Sequence, residues 1–174
     1  MQIKIVPVGM LQANCYILIK NNKCIIIDPG DEKEKIINAL CNLKPICIIL
    51  THDHFDHIGA VDYLCRHYNI KKYDMSNLEE KEYNFSDFKF EIIYTKGHSK
   101  TSLTIYFKEE KVMFTGDFLF KENIGRTDLP GGDEIEMNES INKIKKYQDD
   151  IKIYPGHGNT STLQYEKENN IYFK

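Results

Sequence analysis

The 174-residue chain has no stretch approaching the roughly 18 consecutive apolar residues that a membrane-spanning helix needs. Its N-terminus, MQIKIVPVGMLQANCYILIK, lacks a charged region followed by a long apolar block and alternates like a strand, so no signal peptide is expected. There is no basic excess. The net charge is −3 and the pI about 6.1, which excludes the electrostatic footprint of a nucleic-acid binder. Lysine-rich pieces such as KKYD and KIKK are balanced by nearby acids and read as solvated faces. No C-x-x-C pair occurs, and the cysteine count of five is odd, which argues against a disulfide framework. Reduced, mostly buried thiols point to an intracellular, cytoplasmic protein. No repeat, linker or low-complexity tract divides the chain. The expectation is one domain, residues 1–174, long enough to bury a core without disulfide or metal staples.

What is present reads as strands and helices in alternation. QIKIVPV and NCYILI have strand character, and KCIIIDPG ends a third strand in a Pro-Gly turn. DEKEKIINALCNL has helical spacing at Ile36, Leu40 and Leu43, and Asp31 with Glu34 forms a candidate capping box. ICIIL is a short strand expected to be buried on both faces. From His57 the apolar spacing (Ile58, Val61, Leu64, Cys65, Tyr68) predicts one helix. Tyr73 to Asp87 is polar and reads as a connection. FKFEIIYT, TSLTIYF and KVMFTG are further strands, Glu134 to Tyr147 is an amphipathic helix, and IKIYPGHG is a last strand and turn before a polar C-terminal segment. This order suggests sheets covered by helices in layers.

THDHFDHIGA stands out: three histidines and two aspartates fall within six residues directly after the apolar strand. His52 and His54 are two apart, so on an extended segment they point to the same side. Asp56 and His57 follow as the chain turns into a helix. Imidazole and carboxylate suit zinc and other divalent first-row metals. An isolated surface His-x-His carries little information, but the setting recurs here. His98 follows a strand and a glycine in YTKGHS, Asp117 in MFTGD, and His157 follows a strand, a proline and a glycine in YPGHG. Only His67, late in a predicted helix, lacks such a setting and reads as a surface residue. So many donors exceed what one open site takes from a single loop, which hints at two adjacent metals.

H-x-H-x-D-H with a later Gly-His, Gly-Asp and Gly-His resembles the metallo-β-lactamase superfamily. NCYILI, IIDPGD, FTGDFLF, GRTDLPGGD, PGHG and the tail STLQYEKENNIYF resemble its small glyoxalase II-like hydrolases. The resemblance implies an α/β fold: a four-layer αβ/βα sandwich of two mixed β-sheets flanked by helices. It assigns His52, His54 and His98 to a first metal, Asp56, His57 and His157 to a second, and Asp117 to a bridge between them. The carboxylates Asp56 and Asp117 are also the candidate catalytic residues. The implied cofactors are two divalent ions, zinc first, with iron or manganese as alternatives. Thr51, Asp28 and Thr115 are candidates to orient the ligands. Arg126 and Asp128, in IGRTDLPGGD, read either as a loop that orients substrate or as a pair that holds the loop's own shape.

The implied activity is hydrolysis of a small thioester or ester, with no nucleic acid or membrane as partner. A single-iron persulfide dioxygenase-like enzyme and a non-catalytic metal-binding protein are the alternatives. Ser102 stands where lactamase-like relatives often carry histidine, which favours the glyoxalase II-like group. GHSKTS replaces the family's usual GHTPGS, so Lys100 and Thr101 stand for proline and glycine, and the local turn is expected to differ. No C-terminal helical domain follows the motifs, from which poor use of S-lactoylglutathione is expected.

Overall fold

Strands with apolar side chains on both faces need a cover on both faces. The computed structural model, which describes residues 1–174, meets that need with two sheets packed face to face and helices outside each. The first sheet contains β1 (Gln2–Val8), β2 (Ala13–Lys20), β3 (Lys23–Ile27), β4 (Lys44–Ile49) and β5 (Lys71–Tyr73), in that spatial order. Its first three strands pair antiparallel, and β3, β4 and β5 pair parallel. The parallel steps need crossovers. These are α1 (Lys33–Leu40) and the pair α2 (Phe55–Ile58) and α3 (Val61–Tyr68).

The second sheet contains β6 (Glu82–Phe85), β7 (Phe88–Tyr94), β8 (Leu103–Phe107), β9 (Val112–Gly116), β12 (Lys152–Pro155) and β13 (Ser161–Thr162), in the order β13-β12-β9-β8-β7-β6. Only the β9–β12 pair is parallel, and α4 (Glu134–Ile144) makes its crossover. β10 (Leu119–Phe120) and β11 (Asn123–Ile124) form a small separate hairpin, and α5 (Leu163–Asn169) follows β13.

The period of two along each strand sorts its side chains between layers. On β2, Tyr16 and Leu18 face the second sheet, while Cys15 and Ile17 face α1 and α3. The central layer joins Ile25, Ile27 and Ile49 to Phe90, Ile105 and Phe114. The outer layer of the second sheet joins Met113 and Ile153 to Met137, Ile141 and Ile144 of α4. Three apolar layers between four structural layers make the expected sandwich.

Local expectations fail in four places, each for a physical reason. The helix expected from His57 is two helices. Ala60 N–H donates to Pro29 O at 3.0 Å instead of continuing the helical ladder, and a Cβ on Gly59 would lie 2.3 Å from Gly30 O. The close approach of the Pro29–Gly30 turn thus breaks the helix. The Asp31–Glu34 capping box does not form. Glu32 takes the position before α1 with a left-handed φ of 46°, and Asp31 accepts from Glu32 N–H. The Tyr73–Asp87 connection contains β6, whose alternating Tyr83 and Phe85 pack against the core. The polar C-terminal segment folds as α5 and a short 3-10 turn, Ile171–Phe173. Leu163, Glu166, Asn170 and Phe173 are all buried there. Two of those four are polar, which hid the helical stripe. Glu166 is satisfied by Glu122 N–H at 2.8 Å, Asn170 Nδ2 at 2.8 Å and the Ser161 hydroxyl.

Candidate metal centre

Strands in this fold deliver their C-terminal ends to one rim of the sandwich. His52 and His54 follow β4, with His54 at the cap of α2 and Asp56 and His57 in its first turn. His98 follows β7, Asp117 follows β9 and His157 follows β12. These positions are spread from residue 52 to residue 157 in sequence and converge in two groups. The donor atoms of His52, His54 and His98 lie within 4.8 Å of one another, as do those of Asp56, His57 and His157. Asp117 stands between the groups. Its Oδ2 is 3.7 Å from His98 Nε2, 4.0 Å from His52 Nε2 and 3.6 Å from His157 Nε2, and its Oδ1 is 3.3 Å from His57 Nε2.

The donor set fits a pair of metal ions. His52 Nε2 and Asp117 Oδ1 are buried with no hydrogen-bond partner, a costly state for polar atoms unless something else satisfies them. His54 Nδ1 lies 2.9 Å from His98 Nε2, and His57 Nε2 lies 3.3 Å from His157 Nε2. Two imidazole lone pairs at such distances repel unless a proton or cation sits between them. Nitrogen and oxygen donors in this mixture suit zinc, iron and other divalent first-row ions.

The far side of each ring is tied down. Asp28, 1% exposed, accepts from His57 Nδ1 at 3.1 Å, from Thr51 N–H at 2.8 Å and from Thr51 Oγ1 at 2.5 Å. With its own proton given to Asp28, Thr51 Oγ1 accepts from His52 Nδ1 at 3.1 Å. Both rings therefore carry a proton on Nδ1 and aim Nε2 at the centre, where a metal ion would take its lone pair. Asp28 lies on the Nδ1 side of His57, so it orients that ring. His98 Nδ1 donates to Arg126 O at 2.8 Å, and His157 Nδ1 to Leu11 O at 3.0 Å. Thr115 does not share this role, because its hydroxyl donates to Leu119 O at 2.9 Å.

Charge follows from burial and these contacts. Burial pulls His52 and His98 below the ordinary histidine value. Burial opposes charge on His57 as well, but in the metal-free protein the carboxylates of Asp117, 3.3 Å from Nε2, and of Asp28, 3.1 Å from Nδ1, outweigh that and push it up to about 10. Burial alone would raise Asp117, yet the nearby His57, 3.3 Å away, and the surrounding imidazoles hold it well below the carboxylate range. The thiols of Cys24 and Cys47 are pushed up to about 12 by burial, and all five cysteines are unpaired.

The loop residues fall less centrally. The Arg126 guanidinium is paired with Asp128 by two bonds, at 2.9 and 2.8 Å, and both side chains are 68% exposed. What reaches the centre from Arg126 is its backbone carbonyl. Ser102 is buried against Ser99, 2.9 Å between hydroxyls. Thr101 takes no positive φ and donates to Asp53 at 2.7 Å, so the altered turn still delivers His98 to its group. Two cavities flank the centre. One of about 390 Å³ is walled by His52, Asp53, Lys72, Met75 and Thr101, and one of about 360 Å³ by Met10, Leu11, Phe55 and Asp56. Leu11 and Asn14, from the β1–β2 hairpin, reach the His157 segment; from sequence neither carries a role there, with Asn14 in a strand and Leu11 outside both strands. A buried asparagine among apolar strand residues was the one available signal.

A two-sheet sandwich that brings a three-histidine group and an Asp/His/His group together at its rim, with Asp117 between them, defines a candidate dinuclear metal centre. The chain belongs to the metallo-beta-lactamase superfamily, whose family model matches residues 8–85 and 76–157. It is 34% identical to the hydroxyacylglutathione hydrolase GloC of Haemophilus influenzae, over 99% of this chain and 98% of that protein. Among solved structures, the BLEG-1 B3 metallo-beta-lactamase superposes with a TM-score of 0.96 at 33% identity, covering 99% of this chain and 100% of the other. TTHA1623 in a di-iron-bound form superposes with a TM-score of 0.91 at 30% identity, covering 97% and 99%. No helix is long and apolar enough to cross a membrane.

Proposed function

We propose that this protein hydrolyses a small thioester or ester with two metal ions. The observation that carries the reading is Asp117, whose carboxylate lies within 4.0 Å of histidines from both donor groups. On this reading His52, His54 and His98 hold the first ion, Asp56, His57 and His157 the second, and Asp117 both. When bound, such ions supply a hydroxide near neutral pH and polarise the substrate carbonyl. The chain's own part is orientation: Asp28, Thr51, Arg126 O and Leu11 O hold the imidazoles so that their lone pairs meet. A leaving amine has to be protonated by a donor as it departs. A thiolate needs no such donor, because a thiol pKa is about 8.5. That supports a thioester over an amide.

The relative named hydroxyacylglutathione hydrolase matches this chain over 98% of its own length, so glutathione thioesters belong in the substrate panel. The test is metal content of the purified protein joined to rates on acyl-thioesters, S-lactoylglutathione, simple esters and a β-lactam. Two metals per chain with thioester turnover is the expected result. One iron with sulfur-dependent oxygen uptake would replace the reading by a persulfide dioxygenase. Bound metal with no turnover on the panel would leave a binding protein.

A further inference from the structure

His157 is the isolated member of its group. Asp56 and His57 share one turn of α2, whereas His157 comes from the opposite sheet, on the segment Pro155–Gly158 that leaves β12. A loop after a strand does not by itself hold a ring in place. Here the β1–β2 hairpin of the first sheet grips the segment along its whole length. Asn14, 5% exposed, donates from Nδ2 to Pro155 O at 3.1 Å and to Gly158 O at 3.0 Å. Its backbone N–H donates to Gly156 O at 2.7 Å. Ala13 pairs with His157 as an isolated bridge, and Leu11 O accepts from the ring itself at 3.0 Å. Tyr16 OH donates to Pro155 O at 2.5 Å. Burial pushes that phenol far above the ordinary tyrosine value, so it stays a donor.

The segment cannot relax away from this grip. Gly156 N–H donates to Gly116 O at 2.8 Å on the other side, and a Cβ on Gly156 would lie 2.0 Å from Asp117 Oδ1. The backbone at Gly156 is thus seated directly against the carboxylate. The three histidines expected to hold the first ion make no hydrogen bond with Asn14. His52 is held by Thr51, and His98 by Arg126 O.

From this geometry we infer that Asn14 is a positioning residue for the second metal, with Tyr16 as its auxiliary, and that the hairpin sets the affinity of the second site separately from the first. The inference rests on the two-metal reading. Asn14 touches no metal or substrate; it acts through the main chain on both sides of His157. Replacing its amide by an apolar group leaves Gly158 O without its donor and lets the imidazole drift from Asp56 and His57. Loss of such a supporting bond lowers metal affinity about tenfold to a hundredfold.

The experiment is a stepwise zinc titration of metal-free protein, by chelator competition, for wild type, Asn14→Leu and Tyr16→Phe. Asn14→Leu keeps the branching of the side chain, at a larger volume, and removes both side-chain N–H donors. It is expected to weaken the second binding step about tenfold to a hundredfold and to leave the first within about twofold. Tyr16→Phe keeps the ring against Phe114 and Tyr154 and removes only the hydroxyl, so it gives a smaller loss confined to the second step. A purely structural role would lower both steps together or neither. Two separate steps in wild type, with both unchanged or equally weakened in Asn14→Leu, would overturn the inference and leave the two-metal reading standing. If Asn14→Leu does not fold, an unchanged second step in Tyr16→Phe overturns it. A single binding step in wild type overturns the two-metal reading and the inference with it.

Discussion

Asp28→Asn is a nearly silent change by shape and a severe one by chemistry. The residue is buried, and its φ of 48° lies in the left-handed region that asparagine tolerates as readily as aspartate. The backbone should therefore stay where it is. The carboxylate, however, accepts three hydrogen bonds, two from Thr51 and one from His57. An amide has one oxygen and one NH₂, so at least one of these donors faces another donor. Losing one charge-assisted bond is worth about 1.5–3 kcal/mol. At 1.36 kcal/mol per decade that is about tenfold to a hundredfold in metal affinity, the range found when a supporting partner of a metal-bound histidine is removed. The second site, which depends on His57 directly, should lose more than the first, which Asp28 reaches only through Thr51 and His52. Chelator competition on the folded variant reads both. Affinities within about twofold of wild type at both sites would refute the argument that Asp28 fixes the His57 tautomer.

Asp117→Ala should be the most damaging single ligand change, since on the two-metal reading each histidine serves one ion while this carboxylate faces both groups. Elemental analysis after dialysis should show loss of both metals, and full retention of both would remove Asp117 from the bridge. In metal-free protein the His57–Asp117 contact makes stability pH-dependent. His57 is raised in the fold, so its contribution is full below about 6.5 and is lost as pH rises through about 10. Asp117 is depressed, so its contribution is present above about 4 and is lost as pH falls below that. Thermal unfolding of metal-free protein should show Tm falling between pH 6.5 and 10, and His57→Gln should flatten that slope. Arg126→Ala should leave both metal affinities within about twofold, because only the backbone carbonyl touches His98 and an exposed ion pair contributes little. Any substrate role of the guanidinium would appear as a raised KM for acidic thioesters alone; equal rates on acidic and neutral substrates would leave the pair a shape-holding one.

Much of the fold is legible because one-dimensional patterns suffice for it. Strands whose alternate residues are both apolar, such as CYILI and CIII, must be covered on two faces. Helices with a single stripe, such as Met137, Ile141 and Ile144, cover one. Elements held by polar contacts escaped that logic. α5 buries Glu166 and Asn170, and the break at Gly59 comes from a turn some thirty residues upstream in the chain. β6 is too short for its alternation to stand out from a polar connection.

The kinds of donor, and the ends of strands to which they are delivered, are legible along the chain. A histidine or aspartate placed after an apolar strand and a glycine has to sit at the strand's C-terminal end, whatever the fold. Only the tertiary structure decided which donors meet. His57 and His157 are a hundred residues apart, and their Nε2 atoms come to 3.3 Å because two sheets pack face to face. The same packing places Asp28 behind His57 and Asn14 on either side of His157. None of these partnerships has a sequence period, because hydrogen bonds across a sandwich depend on distances between sheets, and no spacing along one chain encodes them.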